Sequence, residues 1–127
     1  MVERIEHMHN NSYIHRDIKP ENFCIGGPKK QNMVYILDFG LSKRWKCPKT
    51  GDHITHKKKA GITGTPRYCS LNAMYYMEQS RKDDLEAIGM ILCFFFNGGW
   101  LPWMDAEILN LDNQPDLENN QPIPGMG

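Results

Sequence analysis

The 127-residue sequence predicts an α+β fold that is mostly helical, with one short β-hairpin and one long loop. Three observations predict it. The apolar run from Ala87 to Phe96 has helical spacing and a capping signal ahead of it. Two short apolar runs, Phe23-Cys24-Ile25 and Val34-Tyr35-Ile36-Leu37, flank Gly26-Gly27-Pro28 and a polar stretch. Residues 42–72 sustain no period and are rich in Lys, Thr and Gly. A chain this long buries roughly two-thirds of its unfolded surface, enough for one modest core.

The elements follow in chain order. Val2, Ile5, Met8 and His9 recur at helical spacing, so a helix should end near Asn10-Asn11. It has no start signal, which suggests a truncated chain. The two apolar runs then pair as a hairpin whose loop is longer than a tight turn. Residues 42–72 read as a long loop, and a loop of that length inside a compact domain usually has a function. Ser80-x-x-Asp83 offers a capping box. Leu85, Ile88, Leu92, Phe95 and Phe96 follow at helical spacing, and Asn97-Gly98-Gly99 stops the helix. Apolar residues also fill its other face, so the helix is expected to be buried nearly all round, with Phe94-Phe95-Phe96 in the core. Asp105 to Leu111 allows one more short helix. The domain is drawn as 1–111, with 112–127, rich in Asn, Gln and Pro, as a disordered tail.

The composition excludes several classes. The longest apolar stretch is about half of what crosses a bilayer, and the charged start Met1-Val2-Glu3-Arg4-Ile5-Glu6 is no signal peptide. Cys24, Cys47, Cys69 and Cys93 are widely spaced, which fits reduced thiols in an intracellular, cytoplasmic or nuclear, compartment. The formal net charge of zero hides a split: residues 1–82 hold 15 basic and 7 acidic residues, and residues 83–127 hold 8 acidic and no basic ones. Seven of the bases, Lys43, Arg44, Lys46, Lys49, Lys57, Lys58 and Lys59, fall within residues 43–59 of the long loop, opposed there only by Asp52. A solvated charged loop is the bland reading, and recognition of acidic or phosphorylated groups is the functional one. Cys47, His53 and His56 lack a fourth ligand at regular spacing and read as a chance cluster.

Two motifs carry the chemistry. His15-Arg16-Asp17-Ile18-Lys19-Pro20-Glu21-Asn22 matches H-R-D-x-K-x-x-N, and Asp38-Phe39-Gly40 matches D-F-G. Either tripeptide alone is weak; both in order, with a hairpin between, resemble the catalytic loop and metal-binding turn of protein kinases. Gly64-Thr65-Pro66-Arg67-Tyr68 resembles the end of an activation segment, and Asp84-Leu85-Glu86-Ala87-Ile88-Gly89 the start of the central buried helix of the kinase C-lobe. The run from Glu78 to Glu86, Cys69-Ser70-Leu71-Asn72 in place of A-P-E, and Leu101-Pro102-Trp103 narrow the resemblance to the casein kinase 1 family. The fold implied is a C-lobe fragment.

That resemblance implies a protein Ser/Thr kinase that moves the γ-phosphate of ATP, with Mg²⁺, to Ser or Thr hydroxyls. Asp17 would accept or orient the substrate hydroxyl proton, and Lys19 would place a positive charge at the transferring phosphate. Asn22 and Asp38 would hold the metal, a hard cation suited to oxygen ligands. Thr65 would hydrogen-bond Asp17 and Lys19. His15 and Phe39 would pack the loops, Asp84 would accept backbone N–H bonds from the catalytic loop, and Arg67 matches the family's anion-site arginine. The partners implied are protein substrates, acidic or phosphorylated, with no nucleic acid, no membrane and a monomeric chain. Asp105 and Glu107 stand where the family usually has a Lys after L-P-W. The sequence contains no G-x-G-x-x-G and no V-A-I-K, so its N-lobe is expected to be missing and the isolated chain inactive. A kinase fragment, a truncated binding or decoy module, and a non-functional remnant are the three readings left open.

Overall fold

The structure, a computed structural model, describes residues 1–105. The short helix expected over 105–111 and the tail expected over 112–127 lie outside the described residues, apart from Asp105. Helix α1 (Val2–Asn10) leads into strand β1 (Tyr13–Ile14). Strands β2 (Phe23–Ile25) and β3 (Val34–Ile36) form the expected hairpin, antiparallel, with Phe23 opposite Ile36 and Ile25 opposite Val34. Strand β4 (Lys43–Arg44), helix α2 (Leu71–Met74) and helix α3 (Arg81–Phe96) follow.

The stretch 42–72 is not the plain loop its composition suggests. β4 pairs antiparallel with β1, Ile14 opposite Lys43. Lys46 bridges to His53, Lys58 bridges to Met77, and Pro66–Tyr68 makes one 3₁₀ turn before α2. Strands of two residues leave no alternation to read, because their pairing comes from segments about 30 positions apart.

α3 begins as its capping box predicts: the Ser80 N–H donates to Asp83 Oδ2 at 2.7 Å. The other Asp83 oxygen accepts from the Ser70 hydroxyl at 2.7 Å, and the Ser70 Oγ accepts from the Ala73 N–H as the N-cap of α2. One buried carboxylate therefore fastens the starts of two helices. Burial pushes the Asp83 carboxyl up, but Ser70, the Ser80 backbone and Lys82 outweigh it and hold it below the usual range.

The core lies between α1, the segment after β1, and one face of α3. Ile5, Ile18, Tyr68, Ala87, Ile88, Ile91 and Leu101 fill it, with Phe94 packed at its edge. Each such fully buried aliphatic side chain stabilises the fold by roughly 1.5–3 kcal/mol. The expectation that α3 is buried all round fails. Leu85, Leu92 and Phe95 are exposed, and Phe96 is 87% exposed. Helical spacing shows that two faces are apolar but not whether each has a neighbour, and among the described residues only one face is covered. Trp45 ties the far side together: its Nε1–H donates to the His9 carbonyl at 2.9 Å, and the Arg81 guanidinium lies 3.7 Å from its ring centre.

Candidate active site

β1 delivers the chain into the loop His15–Asn22. His15 is fully buried; its Nε2 is 2.9 Å from the Leu37 carbonyl, and its ring meets Phe39 edge-on at 5.7 Å. The N–H groups of His15 and Arg16 both donate to Asp84, at 2.8 and 2.9 Å, and His9 Nε2 is 2.8 Å from the same carboxylate. Arg16 adopts φ +69°, a left-handed conformation that costs a non-glycine residue free energy. Asp84, on the rigid first turn of α3, holds the loop in that shape.

The reversal turns the Asp17 carboxylate toward three donors. Its Oδ1 accepts from the Thr65 hydroxyl at 2.7 Å. Its Oδ2 lies 3.1 Å from Lys19 Nζ and 3.3 Å from Asn22 Nδ2. Lys19 Nζ also donates to Thr65 Oγ1 at 3.3 Å. Burial pushes the Asp17 carboxyl up, yet the hydrogen bonds of Thr65, Lys19 and Asn22 prevail and hold it below its usual range. The bond to Asp17 raises Lys19 in turn. At neutral pH the pair is fully charged, a carboxylate beside a fixed cation.

The hairpin explains how Asn22 and Asp38 become neighbours. The 3₁₀ turn Pro20–Asn22 ends at β2, and the Leu37 N–H, one residue beyond β3, donates to the Asn22 carbonyl at 2.8 Å. Asp38 is next in the chain, at φ +58°, with its Oδ1 accepting from the Gly40 N–H at 3.1 Å. A family profile of the protein kinase domain matches residues 1–121. The chain belongs to the protein kinase family.

Its chemistry is therefore that of a kinase, a phosphate-transferring enzyme acting on proteins, and kinase domains generally use ATP and Mg²⁺. The donor chemistry here fits such a cation. The Asn22 amide nitrogen donates to the Asp17 carbonyl, 2.8 Å away, so its oxygen is the atom left for a cation, and Asp38 is an exposed carboxylate. Two hard oxygen donors of that kind suit Mg²⁺, which keeps several of its own waters. Among the described residues no group of three or more His, Cys, Asp or Glu side chains could hold a metal ion.

The basic residues of this kinase are less free than their composition suggests. Beyond Asp52 they meet Glu78, which lies outside the loop: its Oε1 is 3.1 Å from Lys43 Nζ, 3.3 Å from Lys59 Nζ and 4.0 Å from Arg16 Nη1. These are ion pairs rather than well-aligned hydrogen bonds. Burial pushes the Glu78 carboxyl up, but Lys43 and Lys59 pull it below the ordinary glutamate value. Arg44 covers the Tyr13 ring and Lys46 the Trp45 ring. Arg67 is half-buried on the 3₁₀ turn, where its carbonyl accepts from Trp103 Nε1 at 2.8 Å. Sequence reasoning assigned no role to Glu78 or Gln79. Both are nine-tenths buried polar residues just before α3, and only their position in the unusual run Glu78-Gln79-Ser80 could have flagged them.

Proposed function

We propose that the chain is the catalytic-loop portion of a casein kinase 1-like protein Ser/Thr kinase that transfers the ATP γ-phosphate to acidic or already phosphorylated substrates. The observation that carries this reading is the convergence on Asp17 of Thr65 at 2.7 Å and Lys19 at 3.1 Å. Asp17 accepts the proton of the incoming Ser or Thr hydroxyl. Lys19, fully protonated, balances charge on the transferring phosphate, and Thr65 joins the substrate-side loop to the catalytic loop. Asn22 and Asp38 hold Mg²⁺, which when bound neutralises phosphate charge. The stretch from Asp38 to Asn72 serves as the activation segment, and Arg67 with the exposed Lys49, Lys57 and Lys58 attracts anionic substrate residues.

The protein acts inside the cell as a monomer, and the 127 residues alone transfer no phosphate, because a glycine-rich loop and a strand lysine are needed over the nucleotide. Mg-ATP should accordingly leave its thermal midpoint unchanged. A truncated binding module that holds acidic partners on the same lysines is the second reading, favoured by the basic surface alone. A chimera carrying a donor kinase N-lobe ahead of Met1 tests the substrate class. It should phosphorylate Ser and Thr peptides but not Tyr peptides, and prefer a phosphorylated residue upstream, with Arg67→Ala weakening that preference. Equal rates on primed and unprimed peptides would overturn the anion-site assignment, and Tyr phosphorylation would overturn the Ser/Thr one.

A further inference from the structure

Gln79 sits between the Glu78 ion cluster and the Ser80 cap of α3, and only 8% of it is exposed. Its side chain serves neither neighbour. The Nε2–H donates across to the Thr63 carbonyl at 2.7 Å. The same carbonyl has one weak second donor, the Cys69 thiol at 3.8 Å. Gly64 comes next, at φ +104°, so close to the catalytic loop that a Cβ there would lie 2.4 Å from the Arg16 carbonyl. Thr65 follows, with its hydroxyl on Asp17. The tripeptide Thr63-Gly64-Thr65 is thus anchored at its start by Gln79, pressed on the catalytic loop at its middle, and joined to Asp17 at its end.

We infer that Gln79 is a positioning residue for phosphate transfer, fixing the substrate-side loop through the Thr63 carbonyl and so keeping the Thr65 hydroxyl on Asp17. The inference rests on the kinase reading of Asp17 and Thr65. The helix that holds the catalytic loop through Asp84 is the one that Gln79 precedes by two residues. Both loops are therefore referenced to one rigid rod, and Gln79 is to the substrate-side loop what Asp84 is to the catalytic loop. Gly64 makes such a clamp necessary, since a glycine between Thr63 and Thr65 leaves the backbone free to swing once its carbonyl anchor is gone.

The test is solution NMR of the full 127-residue chain, reading the Thr65 side-chain rotamer from three-bond couplings and amide exchange at Gly64 and Thr65. Gln79→Met keeps the length and removes the donor. It should average the Thr65 rotamer and speed exchange at both amides by about tenfold, a local opening, while the His15 and Arg16 amide signals stay in place. Gln79→His, which carries a ring N–H donor at about the same reach from the backbone, should restore the single rotamer. Thr65→Val is the reference for a loop that has lost its hydroxyl contact. An unchanged Thr65 rotamer and unchanged exchange in Gln79→Met overturn the inference. So does movement of the His15 and Arg16 signals together with Thr65, or loss of folding in both Gln79 variants, since Gln79 would then hold the fold rather than the loop. A chain with the loop response whose chimera transfers no phosphate refutes the kinase reading and leaves the clamp standing. A chimera that transfers without the loop response refutes the clamp alone.

Discussion

Removing the Asp84 carboxylate should nearly unfold the domain, and the structure says by how much. The side chain is 1% exposed and accepts three hydrogen bonds: His15 N–H at 2.8 Å, Arg16 N–H at 2.9 Å and His9 Nε2 at 2.8 Å. Hydrogen bonds to a charged group contribute about 1.5–3 kcal/mol each, and a buried donor left alone costs its desolvation as well. Asp84→Ala strands two backbone N–H groups that no side chain can replace, and Arg16 loses the support for its left-handed φ. Such contributions are not additive, and removing one partner from a buried, paired charge typically costs about 3–5 kcal/mol, against a typical domain stability of roughly 5–15 kcal/mol. Asp84→Asn keeps one acceptor oxygen and should lose about half as much. Urea denaturation followed by circular dichroism measures both, provided the slope of the transition is unchanged. A cost below about 1 kcal/mol for Asp84→Ala would refute the claim that this carboxylate holds the catalytic loop.

Two further outcomes follow from the titrating groups. Asp17, Glu78 and Asp83 all have folded-state pKa values below their ordinary 3.8, 4.5 and 3.8. A depressed carboxyl binds protons less readily folded than unfolded, so its contribution is present above about pH 5 and is lost as pH falls through and below the ordinary values. Acid melting curves should show stability falling below about pH 5, and Glu78→Gln should flatten that fall; an identical acid slope in the variant counts against the ion cluster. Among the thiols, N–H groups of Thr50 and Lys49 lower Cys47, whereas burial and then Asp17 push Cys69 up to about 11. At pH 8 only about one Cys69 in a thousand is thiolate, so mass spectrometry after brief iodoacetamide treatment should find Cys47 alkylated and Cys69 intact.

The parts legible in the sequence are those whose signals are local. α1, the β2–β3 hairpin and α3 follow from apolar spacing, turn residues and the Ser80 cap. Asp17, Lys19, Asn22 and Asp38 stand out because the motifs that hold them resemble those of protein kinases, and the short hairpin between them lets the Leu37 N–H, just before Asp38, donate to the Asn22 carbonyl. What was missed depends on contacts between distant segments. Tyr13–Ile14 pairs with Lys43–Arg44 through strands too short to alternate. Phe95 and Phe96 look like core by hydropathy, yet no described element covers them. Glu78 and Gln79 look like solvent-facing polar residues until the loop of residues 42–72 folds back over them and supplies Lys43, Lys59 and the Thr63 carbonyl.

The central claim is that Asp17 is the proton acceptor of a phosphate-transfer site. Its most direct test is the rate of phosphate incorporation into a Ser peptide by the N-lobe chimera and by its Asp17→Asn form. Losing a positioned general base typically costs about 10²–10⁴-fold in rate, so the variant should fall by at least about a hundredfold while the Asn22 and Thr65 NMR signals show the loop intact. Equal rates from the two proteins would contradict the account.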